Sequence, residues 1–153
     1  MLNTPYDNLT NKILDCDMAV HREQGSGLRE DTYHRSLSNH LSDASISFKT
    51  EKLYSVYDDS DQERLVGYYI PDFVVKGKVI VEIKTIQGLE IRHLAQIISY
   101  LAVSRLPVGL SSNFREQSVR YLRVFPHQKV IDHLLNHQWL FIPEWLKNKG
   151  TKE

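Results

Sequence analysis

The stretch Lys78-Val79-Ile80-Val81-Glu82-Ile83-Lys84 decides how this 153-residue chain is read. It is dense in β-branched residues and reads as a strand. Side chains alternate along a strand, so Val79, Val81 and Ile83 face one way and Ile80, Glu82 and Lys84 the other. Large apolar residues on both faces describe a central strand covered on each side. Glu82 and Lys84 then sit on a mostly buried face, where charge is costly unless it is paired or holds a metal.

The segment before it, Leu65 to Val75, also reads as a strand and carries Asp72 among apolar neighbours. A tight loop joins the two strands, so they pair antiparallel, and directly opposed residues share a face. Asp72 and Glu82 share a face only if paired residue numbers sum to an even value. A two-residue Lys76-Gly77 turn pairs Val75 with Lys78 and splits the carboxylates. A three-residue loop Val75-Lys76-Gly77 pairs Val74 with Lys78, sets Asp72 opposite Ile80 and diagonal to Glu82, and gives Gly77 the left-handed position such loops favour.

Two converging carboxylates with a lysine two residues on suit Mg²⁺, which takes oxygen ligands and keeps several waters. Such an ion polarises a phosphodiester and lowers the pKa of its water. The same spacing also suits a plain ion pair, since residues two apart on a strand lie roughly 6.6 Å apart. Geometry alone leaves both readings open.

Working outward, Leu9, Ile13, Cys16 and Val20 form a helical stripe with Asp7 or Asn8 as N-cap, stopped by Gly25-Ser26-Gly27. A second helix runs from Leu28 to Leu41. Residues from Ser45 to Tyr57 read as one strand, and the acidic turn 58–61 lacks a full calcium-loop pattern. Beyond Lys84 follow a helix over 91–104, a short strand Val108 to Ser111, a strand Arg120 to Phe125 and a helix His127 to His137. An aromatic end with Trp139, Phe141 and Trp145 closes the chain. The fold class is mixed α/β, a central sheet flanked by helices.

One domain of this size buries a core without disulfides, and the single cysteine, Cys16, forms none within the chain. The 19 basic and 19 acidic residues cancel, which speaks against a protein that coats nucleic acid by charge alone. Residues 1–63 carry −6, however, and residues 64–153 carry +6. A polyanion should meet mainly the second part. No membrane-length apolar run and no basic-then-apolar leader is visible, so a reducing compartment, most simply the cytoplasm, is expected.

Ile70-Pro71-Asp72 followed by Glu82-Ile83-Lys84 resembles the PD-(D/E)XK nuclease signature. Upstream, Gly27-Leu28-Arg29-Glu30-Asp31-Thr32-Tyr33 resembles the GxxExxY motif of one family in that superfamily, and Ala19 to Leu28 resembles the text before it. Downstream, His93 to Leu101, carrying Gln96 and Tyr100, resembles the family's helix motif, and Gly109-Leu110 with Asn113-Phe114 its closing strand.

The resemblance implies a restriction-endonuclease-like fold over residues 1–125, with 126–153 as a helical extension packed on it. It implies a Mg²⁺-dependent nuclease, with Mn²⁺ as the alternative ion. Asp72, Glu82 and Glu30 would be metal ligands, Lys84 the catalytic lysine, and Gln96 a lining residue. Tyr33 and Tyr100 are read as packing residues, and His93 as a satisfied histidine. The implied partner is nucleic acid, DNA ahead of RNA, with no membrane. Arg92, Arg105, Arg115, Arg120 and Arg123 are candidates for phosphate contact. In the extension, His133 and His137 could hold Zn²⁺ on one helix face, but packing is the simpler reading, and a homodimer contact is a further role for it. A non-catalytic nucleic-acid-binding module and a protein-interaction scaffold compete with the nuclease on the same fold.

Overall fold

The computed structural model describes residues 6–58, 63–125 and 140–149. In chain order the elements are α1 (Asp7–Gln24), α2 (Glu30–Asp43), β1 (Phe48–Thr50), β2 (Tyr54–Tyr57), β3 (Leu65–Tyr69), β4 (Phe73–Val75), β5 (Val79–Lys84), α3 (Ile91–Ser104), β6 (Val108–Asn113), β7 (Arg120–Val124) and α4 (Glu144–Lys149). Five strands form a mixed sheet in the order β1-β4-β5-β6-β7, and β2 pairs with β3 separately. Among the described strands only β5 and β6 run parallel, joined through α3, as a crossover connection requires. The helix expected over His127 to His137, the histidine pair on it and most of the acidic turn lie outside the described residues. No helix among the described residues is long and apolar enough to cross a membrane.

All six residues of β5 are buried. Val79, Val81 and Ile83 join the cluster formed with Ile13, Val20, Leu37 and Leu41 of α1 and α2. Ile80 joins Ile97, Tyr100 and Leu101 of α3 on the other face, together with Val56 and Tyr69 of the small sheet. The strand is therefore central and covered twice, as its composition implies.

Two segments expected as single strands are each split. The first breaks at Glu51, whose φ of 55 turns the chain between β1 and β2. The second breaks at Ile70-Pro71-Asp72. Proline offers no N–H to a ladder, so β3 ends before it and β4 begins after it in the other sheet. Apolar residues run on through the second break and hide it from a reading by period, whereas the first falls in the polar run Lys49-Thr50-Glu51-Lys52, where the apolar phase shifts from Ile46 and Phe48 to Leu53.

Gly67 and Gly109 are close-approach positions. A Cβ at Gly67 would press on Leu140 Cγ and the Phe141 carbonyl. There Phe141 exchanges both backbone hydrogen bonds with Tyr68, each 2.8 Å, so the tail adds to the edge of β3. A Cβ at Gly109 would strike Ile97 Cγ2, where α3 lies on β6. Gly109→Ala is expected to cost roughly 1–3 kcal/mol by overpacking, read as a lower urea midpoint. An unchanged midpoint would mean that α3 is free to shift.

Candidate active site

The β4–β5 turn fixes the site's register. Lys76 and Gly77 both take positive φ, 51 and 63, and Lys78 N–H bonds the Val75 carbonyl at 2.9 Å. The ladder then pairs Val75 with Val79, Val74 with Ile80 and Phe73 with Val81. The loop has three residues, as carboxylates on one face require, but they are 76–78 rather than 75–77. Lys76 accepts the left-handed conformation as well as Gly77, so Lys78 is left out of the ladder. One more step of this register sets Asp72 directly opposite Glu82, not diagonal to it.

The two carboxylates are locked by reciprocal bonds. Glu82 Oε1 accepts from Asp72 N–H at 2.9 Å, and Asp72 Oδ2 accepts from Ile83 N–H at 2.8 Å. Each acid thus takes over a backbone donor where the ladder ends, and neither can swing away without stranding one. Lys84 Nζ lies 3.9 Å from Glu82 Oε2. Glu82 and Lys84 are buried, and Asp72 is half-buried.

Electrostatics follow from that burial. Loss of water raises the Asp72 carboxyl, opposed by the Ile83 N–H, His34 and Lys84. The Glu82 carboxyl is pushed well above the usual range, first by burial and then by the Asp72 charge, with Lys84 opposing. A hydrogen bond between the two carboxyls favours the proton on Glu82 and the charge on Asp72. A buried, proton-sharing pair of carboxyls is a set of hard oxygen donors suited to a divalent cation, which would take that proton's place.

Glu30, the first residue of α2, is exposed at the rim. Partial burial raises its carboxyl and the Asp72 charge adds to this, while Lys84 and the Thr85 N–H favour ionisation. It lines a cleft of about 560 Å³ with His34, Arg35, Asn39, Thr50 and Asp72. Among the described residues, no three His, Cys, Asp or Glu side chains close into a metal site, while Glu30 is near enough to Asp72 and Lys84 to feel both charges.

Tyr33 places Glu30. Its hydroxyl donates to the Gly25 carbonyl at 2.6 Å and accepts from Leu28 N–H at 3.1 Å, while its ring stacks on Phe114. That latch holds the turn between α1 and α2, where Gly25 and Gly27 take φ of 78 and 81. On the opposite face of the sheet, α3 buries Gln96 and Tyr100 in one stripe, with Gln96 Nε2 donating to the Tyr100 hydroxyl at 3.3 Å. Burial raises that hydroxyl's pKa, and the Glu82 charge raises it further. Gln96 Oε1 is buried without a hydrogen-bond partner among the described residues. His93 is buried and accepts Glu90 N–H through Nδ1 at 2.8 Å, fastening the start of α3.

Three residues matter more than their sequence setting suggested. His34 stacks on Phe73 and lies 3.3 Å from the Asp72 carbonyl; its spacing of four from Glu30 on one helix was the available signal. Asn113 accepts from Ile86 N–H and donates to the Ile86 carbonyl, pinning the chain that leaves β5. Asp17 is fully buried on α1, with Oδ2 accepting from the Ser112 hydroxyl at 2.6 Å and Oδ1 without a partner among the described residues.

A family model for the PD-(D/E)XK nuclease superfamily matches residues 7–124. The chain belongs to that superfamily, and its sheet and flanking helices are those of a restriction-endonuclease-like fold. A solved structure described as "Crystal structure of SSO0001" is similar at a TM-score of 0.48 and 15% identity, over 81% of this chain and 82% of that one. No curated protein matches the chain.

Proposed function

We propose that this chain is a metal-dependent nuclease of the GxxExxY family that hydrolyses phosphodiester bonds in DNA or RNA. The observation that carries the reading is the Asp72–Glu82 pair on one sheet face, tied by reciprocal hydrogen bonds, with the Lys84 ammonium at 3.9 Å. Asp72 and Glu82 would hold Mg²⁺ or Mn²⁺, with Glu30 reaching in from the rim. The ion would supply an activated water and offset charge on the phosphate.

The chain's own groups do the remainder. Lys84, kept near Glu82, offers a fixed positive charge where the pentavalent phosphate gains negative charge, and orients the attacking water. Gln96 presents from α3 a carbonyl oxygen without a partner among the described residues, and Asn113 keeps the chain after Lys84 in place. Residues 1–125 form the nuclease domain in this reading, with 126–153 packed on it and the cytoplasm as its setting.

The test is incubation with single- and double-stranded DNA and RNA, with Mg²⁺, Mn²⁺ or a chelator. Cleavage is expected only with metal, and Lys84→Ala should slow it on the order of 10²-fold. Equal cleavage by the wild type and Lys84→Ala would reject the reading. Binding without cleavage by the wild type would favour the non-catalytic module instead.

A further inference from the structure

A second cleft, of about 420 Å³, opens at the free edge of the main sheet and is lined by Phe48, Lys49, Lys52, Val74, Lys76 and Gly77, with Ser47 at its rim. Its three lysines are exposed, and none forms an ion pair among the described residues. Lys52 Nζ lies 5.1 Å from the centre of the Tyr54 ring, whose face attracts that ammonium. Three exposed ammonium groups around a partly apolar floor suit an anion.

Its position relative to the carboxylates gives it meaning. Lys49 pairs with Val74, so the two share a face. Asp72 is two residues before Val74 and lies on that same face. Extended chain from Asp72 to Lys76 covers about 13 Å. That length is on the order of a few charge spacings along one nucleic-acid strand. The lysines therefore run as a track from the edge of the carboxylate site outward. Two of them come from the half of the chain with net negative charge, so net charge by halves did not reveal them.

We infer that Lys49, Lys52 and Lys76 form the backbone-binding track for one polynucleotide strand, holding the phosphates on one side of the bond to be cut. The inference rests on the nuclease reading of the Asp72–Glu82 site and names where its substrate lies. The track binds phosphates and leaves the bases unread, so DNA and RNA strands share it.

The experiment uses fluorescent twelve-nucleotide DNA and RNA strands of one sequence, with chelator present so that nothing is cut. Anisotropy gives affinity across a salt series for the wild type, Lys49→Ala/Lys52→Ala/Lys76→Ala, Glu82→Gln and Lys12→Ala. Each phosphate contact on a single strand adds roughly 0.7 to the salt slope, so the triple variant should lose about 2 from it. Its affinity should fall about 100-fold at 0.1 M salt. A loss on both strands supports a backbone track; a loss on one supports it for that sugar only. In a parallel arm with Mg²⁺ in place of the chelator, Glu82→Gln should fail to cut although it binds like the wild type under chelator, and Lys12→Ala, on α1, should change neither binding nor cleavage. A wild type that binds and cuts beside a triple variant of unchanged slope overturns the track alone. A wild type that neither binds nor cuts overturns the track together with the nuclease reading.

Discussion

Glu82→Gln should lose cleavage on the order of 10²–10³-fold while keeping or raising its resistance to urea. The two effects come from the same burial. Glu82 is 4% exposed, its carboxyl is driven up by loss of water, and Asp72 stands against it. An amide keeps the oxygen that accepts Asp72 N–H and offers an N–H to the Asp72 carboxylate, so the shared proton is no longer needed. It also removes a buried ionisable group whose charged form is costly to desolvate. The loss falls on Lys84, whose ammonium has the carboxylate at 3.9 Å. Stability within about 1 kcal/mol of the wild type, or above it, is expected. The amide cannot supply the negative charge that a divalent cation needs, so activity should fall in Mg²⁺ and Mn²⁺ alike. Single-turnover cleavage and urea unfolding at one pH measure both. Cleavage within tenfold of the wild type would remove Glu82 from the proposed chemistry.

The core of that arrangement was legible in seven residues. Alternation in Val79 to Lys84 dictates which side chains share a face, and apolar residues on both faces dictate a central strand; α1 and α2 cover one side and α3 the other. The even-sum requirement for Asp72 and Glu82 also holds, because it follows from the pleat alone. The loop moved by one residue and the pairing with it by two, which keeps the shared face, because Lys76 takes a left-handed conformation that its type rarely adopts. The break at Pro71 was hidden by apolar residues that run on through it, while the change of phase from Ile46 and Phe48 to Leu53 already marked the break at Glu51. Glu30 was placed on its helix correctly, yet its distance from the Asp72–Glu82 pair depends on how α2 lies across the sheet. Spacing along the chain carries no record of that. The lysine track was hidden for the same reason, since Lys49 and Lys76 meet only when β1 pairs with β4.

Stability should fall as pH rises from 5 to 8, and Asp17→Asn should flatten much of that fall. Asp17 is enclosed among Ile13, Leu14 and Val20, with one oxygen on the Ser112 hydroxyl and the other unpaired among the described residues. Burial lifts its carboxyl to about 7, and the Ser112 bond only partly offsets this. In the unfolded chain the group titrates near 3.9. Between those values the native state holds a proton that the unfolded state has lost, so stability declines with rising pH. The contribution is complete below about pH 4 and is lost as pH passes through about 7. The stretch from pH 5 to pH 8 should account for roughly 2.5 kcal/mol. The amide that replaces the carboxyl in Asp17→Asn cannot titrate. It keeps an acceptor for Ser112 but buries an N–H where an oxygen stood, at a cost of about 1–3 kcal/mol that does not vary with pH. The offset between the two proteins is therefore not diagnostic; the difference in slope is. Glu30, Asp72 and Glu82 are raised in the same direction but are common to both proteins, so they cancel in that difference. Urea unfolding of the wild type and Asp17→Asn at half-unit steps from pH 5 to 8 gives the two curves. They should diverge steadily toward low pH in favour of the wild type, and parallel curves would mean that the carboxyl is already ionised in the folded core.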